Sequence, residues 1–409
     1  MPQRQLPENI SEGEFISGLM SQVREFLPLL DSEEIREFLQ ELRGAVEAGI
    51  TCLDDLNAAQ SSLLARIRNT DSCVELGRIH DALNKIELER FLKIQSVPAL
   101  HKNCTHYRDI LAGRALEQSA AEMANTGHGK SPLPFALISM GSDGREEQTL
   151  ITDQDYLVVY ADGGGDEADQ WFKLFSDLLV ERLVEVGFQK CTGDIMPSNP
   201  TWRGSMSQWR RKLLAIVRYE YEDYAKNLMD LIVLSDARYV AGDMKLAVEL
   251  VELIRGLEQD YFHVLWGMAK AATEMRLALG FLKRIWTEGT GKHKGEFNLK
   301  LLAWAPLVMN VRILAINQGV PATSTMGRIE FLGREGSFST SMAAGLSEAY
   351  LVLTRYRILQ QIKVIKGIQD DSYYINPYQL ANEERENIRQ SLLRIEELQK
   401  VIHANFHIV

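Results

Sequence analysis

The stretch MGSDGREEQTLITDQDYLVVY runs from Met140 to Tyr160 and combines a Gly-Ser pair, an arginine, two glutamates and a spaced pair of aspartates. The apolar run PFALISM comes just before its polar part, and the apolar run YLVVY ends it. Short apolar runs bounded by turn residues are typical of buried strands. The sequence therefore predicts two strands joined by a highly charged loop, and that charge needs a chemical explanation.

The two aspartates explain part of it. Asp153 and Asp155 flank a single residue, and side chains two residues apart in a strand lie on the same face. Two carboxylates that close repel each other unless a cation lies between them. Mg²⁺ prefers oxygen ligands and is commonly held by one or two carboxylates together with substrate phosphates. We therefore predict that Asp153 and Asp155 bind Mg²⁺, or the chemically similar Mn²⁺.

The residues before the aspartates are suited to an anion. Gly141 lets a backbone approach a ligand closely, Ser142 offers a hydroxyl group, and the following N–H groups can form an anion-binding nest. Arg145 can bind a phosphate through two parallel hydrogen bonds. A strand, a Gly-Ser turn and then Asp-x-Asp predict a site for a triphosphate with its metal. The alternative is a solvated hairpin whose charges have no ligand.

This motif resembles that of the DNA polymerase β-like nucleotidyltransferase superfamily, in which a strand, Gly-Ser and a spacer lead to Asp-x-Asp. It is more similar to the N-terminal domain of the PII uridylyltransferase. It is most similar to the nucleotidyltransferase family that accompanies CBS and cyclic-nucleotide-binding domains in bacterial signal-transduction proteins. The matching residues are Gly141, Ser142, Gly144, Arg145, Glu147, Gln148, Thr149, Thr152, Asp153, Gln154 and Asp155.

Later segments extend the resemblance. GFQKCTGDIMPSNPTWRGSMSQWR (187–210) and SDARYVAGD (235–243) are similar to further motifs of the family, and the C-terminal helices resemble its substrate-binding domain. The resemblance implies transfer of an NMP group from an NTP to a hydroxyl acceptor, in the manner of a uridylyltransferase acting on a regulatory protein. It implies nucleotide contacts by Gly141, Ser142, Arg145 and Gln148. A non-catalytic nucleotide sensor in signal transduction is the alternative.

The superfamily usually has a third carboxylate on a later strand, where it activates the acceptor hydroxyl. The apolar segment DLIVLSDARYVAG predicts such a strand, and it supplies Asp230 and Asp236 as candidates that could share a face. Asp230 is slightly favoured because it opens the predicted strand. For Asp236, an ion pair with Arg238 or a helix cap is the structural alternative. We therefore predict catalytic roles for Asp153 and Asp155, with Asp230 or Asp236 as the third acid.

A few other residues have two interpretations each. Lys300 and Arg312 could reach a substrate phosphate, or they could extend their charges to solvent from a helix surface. Trp202 and Trp209 could stack on a base, although core packing is the favoured interpretation. Cys191 is interpreted as a small packed thiol, since no nearby base would activate it.

The periodicity of apolar residues predicts three regions and an α+β fold. Residues 1–130 read as an N-terminal helical domain, and residues 131–244 read as the catalytic domain with alternating strands and helices. Residues 245–409 read as a C-terminal helical bundle that binds substrate. The resemblance implies a polymerase β-like α/β core with a mixed sheet for the central region.

Composition limits the partners. The 409-residue chain carries a net charge of −11 and has a pI of about 5.4, so no general attraction to nucleic acid is expected. The four cysteines form no CxxC pair, which favours reduced thiols in the cytoplasm. The absence of an apolar run of about 18 residues argues against a membrane span. The expected partners are an NTP and a protein acceptor or regulatory partner, and a homo-oligomer is an open alternative.

Overall fold

The structure, a computed structural model, describes residues 32–218, 220 and 223–408. The chain divides into two compact units, Met1–Ser61 and Ser62–Val409. The described part of the first unit is wholly helical. The strands and the site residues predicted from the sequence all belong to the second unit.

Three long helices form the described N-terminal region: α1 (Ser32–Asn69), α2 (Cys73–Ile94) and α3 (Val97–Asn125). Serine hydroxyl groups cap the second and the third. Ser72 accepts a hydrogen bond from the backbone N–H of Glu75, and Ser96 accepts one from that of Ala99, each at 3.3 Å. Such caps satisfy N–H groups that have no intrahelical partner. The prediction of a helical region is confirmed for these residues.

A four-stranded mixed sheet follows, in the order β5–β3–β1–β6. Its strands are β1 (Phe135–Ser139), β3 (Tyr156–Tyr160), β5 (Arg203–Ser205) and β6 (Arg238–Gly242). β1 runs antiparallel to β3 and β6, whereas β3 and β5 are parallel. Ser139 lies opposite Tyr156, so the end of β1 and the beginning of β3 meet at one edge of the sheet. This register brings the Gly-Ser turn next to the aspartates.

Shorter elements complete the central region. They are the single helical turn α4 (Gly141–Gly144), strand β2 (Asp153–Gln154), helix α5 (Gly165–Glu185), strand β4 (Gln189–Lys190) and helix α6 (Met206–Val217). β2 pairs in parallel with β4, outside the main sheet. The chain therefore leaves one sheet and enters another at Asp155. Every residue of β3 is buried, which is expected for a strand covered on both faces.

One secondary-structure prediction is wrong. The segment DLIVLSDARYVAG was predicted as a strand from Asp230 onward, but Tyr224–Leu234 forms helix α7 and only Arg238–Gly242 is a strand. Asp223 caps the helix by accepting a hydrogen bond from the backbone N–H of Lys226 at 3.0 Å. A short apolar run does not distinguish a buried strand from a buried helix by periodicity. Asp230 therefore lies on a helix, and it shares no strand with Asp236.

Helices dominate the C-terminal region, as predicted. They are α8 (Met244–Asp260), α9 (Phe262–Thr273), α10 (Ala305–Asn317), α11 (Thr325–Arg334), α12 (Thr340–Ile365) and α13 (Asn382–Asn405). A small antiparallel pair joins β7 (Phe297–Asn298) to β8 (Tyr374–Ile375). Short 3₁₀ turns lie at Pro200–Trp202, Phe281–Lys283 and Pro377–Gln379. Helix α9 ends at Thr273, so residues 274–286 are not part of it.

A π-helical turn, Lys300–Trp304, leads directly into α10, and the N–H group of Ala305 bonds the carbonyl of Lys300. Within the described residues, the segment Lys300–Asn317 is long and apolar enough to cross a membrane, and 67% of it is buried inside the protein. A helix buried in the core of a globular protein can have the same length and composition as such a segment. Contacts of α10 with α9, α11 and α13 account for its apolar character.

The described residues therefore form a mostly helical α+β fold around a small mixed sheet. This confirms the predicted α+β class at that level. The boundaries at residues 130 and 244 stay predictions, because Ser62–Val409 is one compact unit.

A buried histidine joins the N-terminal helices to the central region. His80 Nε2 accepts a hydrogen bond from Arg108 Nε at 3.2 Å, and Nδ1 lies 2.9 Å from the carbonyl oxygen of Val186. This arrangement requires a neutral ring that carries its proton on Nδ1. Burial, aided by the charge of Arg108, lowers the pKa of His80 to about 3. The ring therefore stays neutral in the folded protein where it would be protonated in the unfolded chain.

The low pKa predicts acid sensitivity. Between about pH 3 and 6.5 the unfolded chain binds more protons at His80, so folding stability falls as the pH drops below about 6.5. We expect His80→Gln to lose less stability than the wild type between pH 7 and pH 5 in urea unfolding. Some dependence remains, because burial also lowers the pKa of His101. The matched control is His106→Gln at an exposed position, which should keep the wild-type slope. Equal slopes for all three proteins would contradict the assignment.

Candidate active site

The Gly-Ser turn lies directly against one of the predicted metal ligands. The backbone N–H of Met140 bonds the carbonyl oxygen of Asp155 at 2.8 Å, which fixes the turn at the start of β3. Gly141 has a φ of +58°, and a Cβ atom there would lie 2.4 Å from Asp155 Oδ2. Glycine is thus required both by the left-handed backbone and by the close approach. The first N–H groups of the turn have no intrahelical partners, as at every helix start.

The two aspartates are half-buried, and they lie close enough for the charge of Asp153 to act on Asp155. Asp155 Oδ1 is fully buried and has no hydrogen-bond partner among the described residues. Burial raises the pKa of Asp155 to about 6, a hydrogen bond from the Cys191 thiol acts in the opposite direction, and the charge of Asp153 raises it further. Burial also raises the pKa of Asp153, while Lys300 lowers it. The effect of burial on the pKa therefore exceeds that of the nearby positive charges, which are Lys300 for Asp153 and Arg145 for Asp155.

This donor set fits a hard divalent cation. It consists of carboxylate oxygens, one of them buried without a partner, next to a glycine that leaves the space in front of Asp155 open. A bound cation would favour the charged form of both groups, which burial opposes. Carboxylate ligands of this kind suit Mg²⁺ and Mn²⁺.

Cys191 contributes to the site in a way that the sequence did not indicate. Burial, together with the nearby Asp155 carboxylate, raises the pKa of its thiol to about 11. A thiol with a raised pKa is a poor nucleophile at neutral pH. Cys191 therefore acts as a hydrogen-bond donor to Asp155.

Lys300 borders the aspartates from the C-terminal region. It opens the π-helical turn, its charge lowers the pKa of Asp153, and its Nζ atom lies 4.7 Å from the centre of the Tyr373 ring. Lys300 therefore lies near a predicted metal ligand, and its contact with a substrate phosphate stays a prediction.

Asp236 lies elsewhere, in a buried cluster of arginines. It is fully buried and accepts hydrogen bonds from Arg145 Nη1 at 2.6 Å, from Arg312 Nε at 3.1 Å and from Arg328 Nη1 at 3.0 Å. Burial alone would raise the pKa of Asp236, but Arg312, Arg145 and Arg328 together hold it below its usual range. The carboxylate is therefore ionised and saturated with donors. We call these four residues the Asp236 cluster.

The Asp236 cluster decides several open interpretations. Arg312 is held by Asp236, so its guanidinium is engaged inside the protein. An ion pair was the structural alternative for Asp236, but the predicted partner is wrong, because Arg238 instead pairs with Asp109 at 2.8 Å and with Asp143 at 3.0 Å. The predicted role of Asp236 as a third catalytic acid stays a prediction, and this geometry gives the residue a structural role.

The glutamate of the motif binds the start of a C-terminal helix, and the arginine of the motif binds that glutamate. Arg145 Nε donates to Glu147 Oε2 at 2.8 Å, and Glu147 Oε1 accepts from the backbone N–H of Thr325 at 2.6 Å, where α11 begins. A Cβ atom at Gly144 would lie only 2.0 Å from the carbonyl oxygen of Asp236, so this position also requires glycine. Much of the charge in the loop therefore serves to join it to the rest of the fold. The predicted phosphate contact of Arg145 stays a prediction.

The N-terminal helices hold the same loop from another direction. Arg108 Nη1 donates to Gln148 Oε1 at 3.0 Å and to the carbonyl oxygen of Thr149 at 2.5 Å. His101 Nδ1 lies 2.8 Å from the carbonyl oxygen of Gln148. Gln148 is 1% exposed, so its predicted contact with a nucleotide has no support from this arrangement. Sequence analysis missed Arg108, although its position on the apolar stripe of α3 is a signal for a buried arginine.

Asp230 lies on α7, and its charged neighbours are Lys212, Lys226 and Asp223. Burial raises its pKa, and the two lysines lower it.

Among the described residues, no group of three His, Cys, Asp or Glu side chains is placed to hold a metal ion. Trp202 and Trp209 are buried, as the core-packing interpretation predicted.

The glycine turn and the two half-buried carboxylates, with a lysine nearby, are the features that the sequence predicted for a nucleotidyltransferase site. Comparison with known families agrees with this class. Residues 82–223 match the family model described as "Putative nucleotidyltransferase DUF294", and residues 262–406 match the one described as "Putative nucleotidyltransferase substrate binding domain". One segment of the chain is therefore similar to a nucleotidyltransferase domain, and another is similar to a nucleotidyltransferase substrate-binding domain. No curated protein matches the chain. Asp236 lies between the two matched segments.

The Asp236 cluster predicts a large difference between two similar substitutions. Asp236→Asn would leave three buried guanidinium groups without a carboxylate, and breaking a buried ion pair typically costs about 3–5 kcal/mol of unfolding free energy. Asp230→Asn, at a half-buried position, should cost less than about 1 kcal/mol. Urea unfolding followed by circular dichroism measures both values. A loss of unfolding free energy below about 1 kcal/mol in both variants would show that the buried arginines are stable without the Asp236 carboxylate.

Proposed function

We propose that the protein is a Mg²⁺-dependent nucleotidyltransferase that transfers an NMP group from an NTP to a hydroxyl acceptor and releases pyrophosphate. The observation that carries the proposal is the Asp153–Asp155 pair, in which a buried carboxylate oxygen without a partner lies against the Gly141 turn. The two family matches support the same class of reaction.

Each part of the site has a proposed role. Asp153 and Asp155 hold the metal, which, when bound, would neutralise charge on the phosphates during the transfer. The first N–H groups of the Gly141–Gly144 turn and the Ser142 hydroxyl orient the phosphates. Lys300 adds positive charge from the other side of Asp153. The proposal assigns no step to Asp236, which is buried and bound by three arginines, and its role as the third acid stays a prediction.

We further propose a polymerase β-like core and a protein acceptor of the kind that a uridylyltransferase modifies in bacterial signalling. The core is supported by the motif and by its placement, with the Gly-Ser turn at the end of β1 and Asp155 immediately before β3. The acceptor is supported by the sequence resemblance and by the size of the helical substrate-binding region, residues 262–406.

A nucleotide sensor without catalytic activity is the second candidate. The specific observation in its favour concerns the third acid: Asp236 is engaged in its cluster, and Asp230 lies on a helix beside two lysines. Such a protein would use the same aspartates to bind a metal–nucleotide complex and would transmit binding through its helices. The two candidates differ in whether pyrophosphate is released.

Binding of nucleotides tests the site itself. Isothermal titration of each NTP with Mg²⁺ should show binding to the wild type for at least one nucleotide. The double variant Asp153→Asn/Asp155→Asn should bind at least about tenfold more weakly, a loss of about 1.4 kcal/mol. Asp177→Asn, which alters an exposed carboxylate on α5, is the matched control and should bind like the wild type. Equal affinity in the double variant would contradict a metal site at these aspartates.

Turnover separates the two candidate functions. With labelled NTPs and a bacterial lysate as a source of acceptors, the wild type should release pyrophosphate and transfer label to a macromolecule. The double variant should do neither, because it cannot hold the metal. Nucleotide binding by the wild type without any pyrophosphate release would favour the sensor.

A further inference from the structure

A cavity of about 420 Å³ lies where helix α3, the motif loop and the C-terminal helices α11 and α12 meet. Its lining includes Val97, Asp109, Glu146, Glu147, Met326 and Tyr350. Neither Asp153 nor Asp155 lines it, so it is separate from the predicted metal site. Pockets for small organic ligands typically have volumes of about 300–1,000 Å³. We call this space the junction cavity.

Two hydrogen-bonded bridges between regions of the chain border the junction cavity. In the first, the Tyr350 hydroxyl donates to His101 Nε2 at 3.1 Å, and His101 Nδ1 lies 2.8 Å from the carbonyl oxygen of Gln148. In the second, the Glu147 carboxylate accepts from the backbone N–H of Thr325 at 2.6 Å. A molecule in the junction cavity would therefore contact side chains that fix the motif loop to the helices on both sides.

Glu146 occupies a backbone position that glycine usually takes. The α4 turn ends in a Schellman motif, in which the N–H of Glu147 donates to the carbonyl of Ser142 at 2.8 Å and that of Glu146 donates to the carbonyl of Asp143 at 2.9 Å. This motif places Glu146 in the left-handed conformation, with a φ of +56°. A side chain is disfavoured in that conformation. The presence of glutamate there indicates a use for its carboxylate.

Acidic groups outnumber basic ones around the junction cavity. Its titratable side chains, apart from Tyr350, are His101, Lys102, His106, Asp109, Glu146 and Glu147. Asp109 pairs with Arg238 at 2.8 Å, and Glu147 pairs with Arg145 at 2.8 Å. Within residues 32–218, 220 and 223–408, no hydrogen bond or ion pair holds the Glu146 carboxylate, which is exposed at the mouth of the cavity. A cation is therefore the charge that this mouth would attract.

The chemistry of the walls limits the kind of ligand. The buried side chains of Val97 and Tyr350 and the half-buried Met326 offer apolar surface. A ligand that carries a phosphate or carboxylate group would be repelled by the three carboxylates. A bare metal ion would leave the apolar walls uncovered. A molecule with one positive charge and an apolar body satisfies both parts of the lining.

We propose that the junction cavity is a second ligand site, which binds a small protonated amine with an apolar body. The ammonium group would bind Glu146, and the apolar body would lie against Val97, Met326 and Tyr350. Because both bridges border the cavity, the bound amine would stabilise the attachment of the motif loop to the C-terminal helices. The inference does not depend on the proposed nucleotidyltransferase function.

Binding of simple amines tests the inference. Isothermal titration of the full chain with phenethylamine and with hexylamine should show binding of at least one of them to the wild type. The alcohol and the carboxylic acid with the same apolar group should bind at least about fivefold more weakly, because neither offers a positive charge to Glu146. Glu146→Gln should weaken amine binding by a similar factor and leave alcohol binding unchanged. Glu330→Gln is the matched control, because it alters an exposed carboxylate on α11 that does not line the cavity, and it should bind like the wild type.

A second variant locates the amine. The double variant Asp153→Asn/Asp155→Asn should bind the amine like the wild type, and a loss there would place the amine at the aspartates and overturn the inference. Failure of both amines to bind, tighter binding of the acid, or equal amine affinity in Glu146→Gln would overturn it as well. If Glu146→Gln does not fold, Met326→Trp, which narrows the cavity, should weaken amine binding, and unchanged affinity would count against the site. None of these outcomes bears on the transferase proposal, which nucleotide binding tests separately.

Discussion

One buried carboxylate with three arginine partners holds the architecture together. Asp236 binds Arg145 from the motif loop, Arg312 from α10 and Arg328 from α11. In such a cluster every charge depends on the others, since loss of one partner leaves the rest desolvated and unpaired. The position of the Gly-Ser turn therefore depends on residues of the C-terminal helices. Asp236 thus links the central region to the C-terminal helices within one compact unit, Ser62–Val409.

Sequence patterns predicted the secondary structure correctly where a pattern fits only one type of element. Phe135–Ser139 and Tyr156–Tyr160 are strands as expected, because each is a short apolar run bounded by turn residues. Long amphipathic segments formed helices for a similar reason. The run after Asp223 failed, because an apolar stretch of that length suits either a buried helix or a buried strand. Tertiary packing favours the helix, so Asp230 does not share a strand with Asp236.

The sequence predicted those parts of the candidate site whose residues lie close together along the chain. Asp153 and Asp155 lie beside the Gly141 turn, as the pattern required, and Lys300 lies near them. The remaining features depend on residues that are distant along the chain. No spacing rule connects Arg108 to Gln148, or Gln361 to Ile151 in the segment before Asp153. Such contacts follow from how the helices pack, which single-sequence reasoning does not determine.

The direction in which Lys300 points depends on the number of residues in the π-helical turn Lys300–Trp304. Such a turn is equivalent to an α-helical turn with one residue inserted. Removing one residue would restore regular α-helix and rotate whatever precedes it by about 100° around the axis, while α10 kept its register. Lys300 would then point away from Asp153 although no side chain of the site had changed. Insertions and deletions at this turn are therefore a route by which homologous chains could gain or lose the lysine.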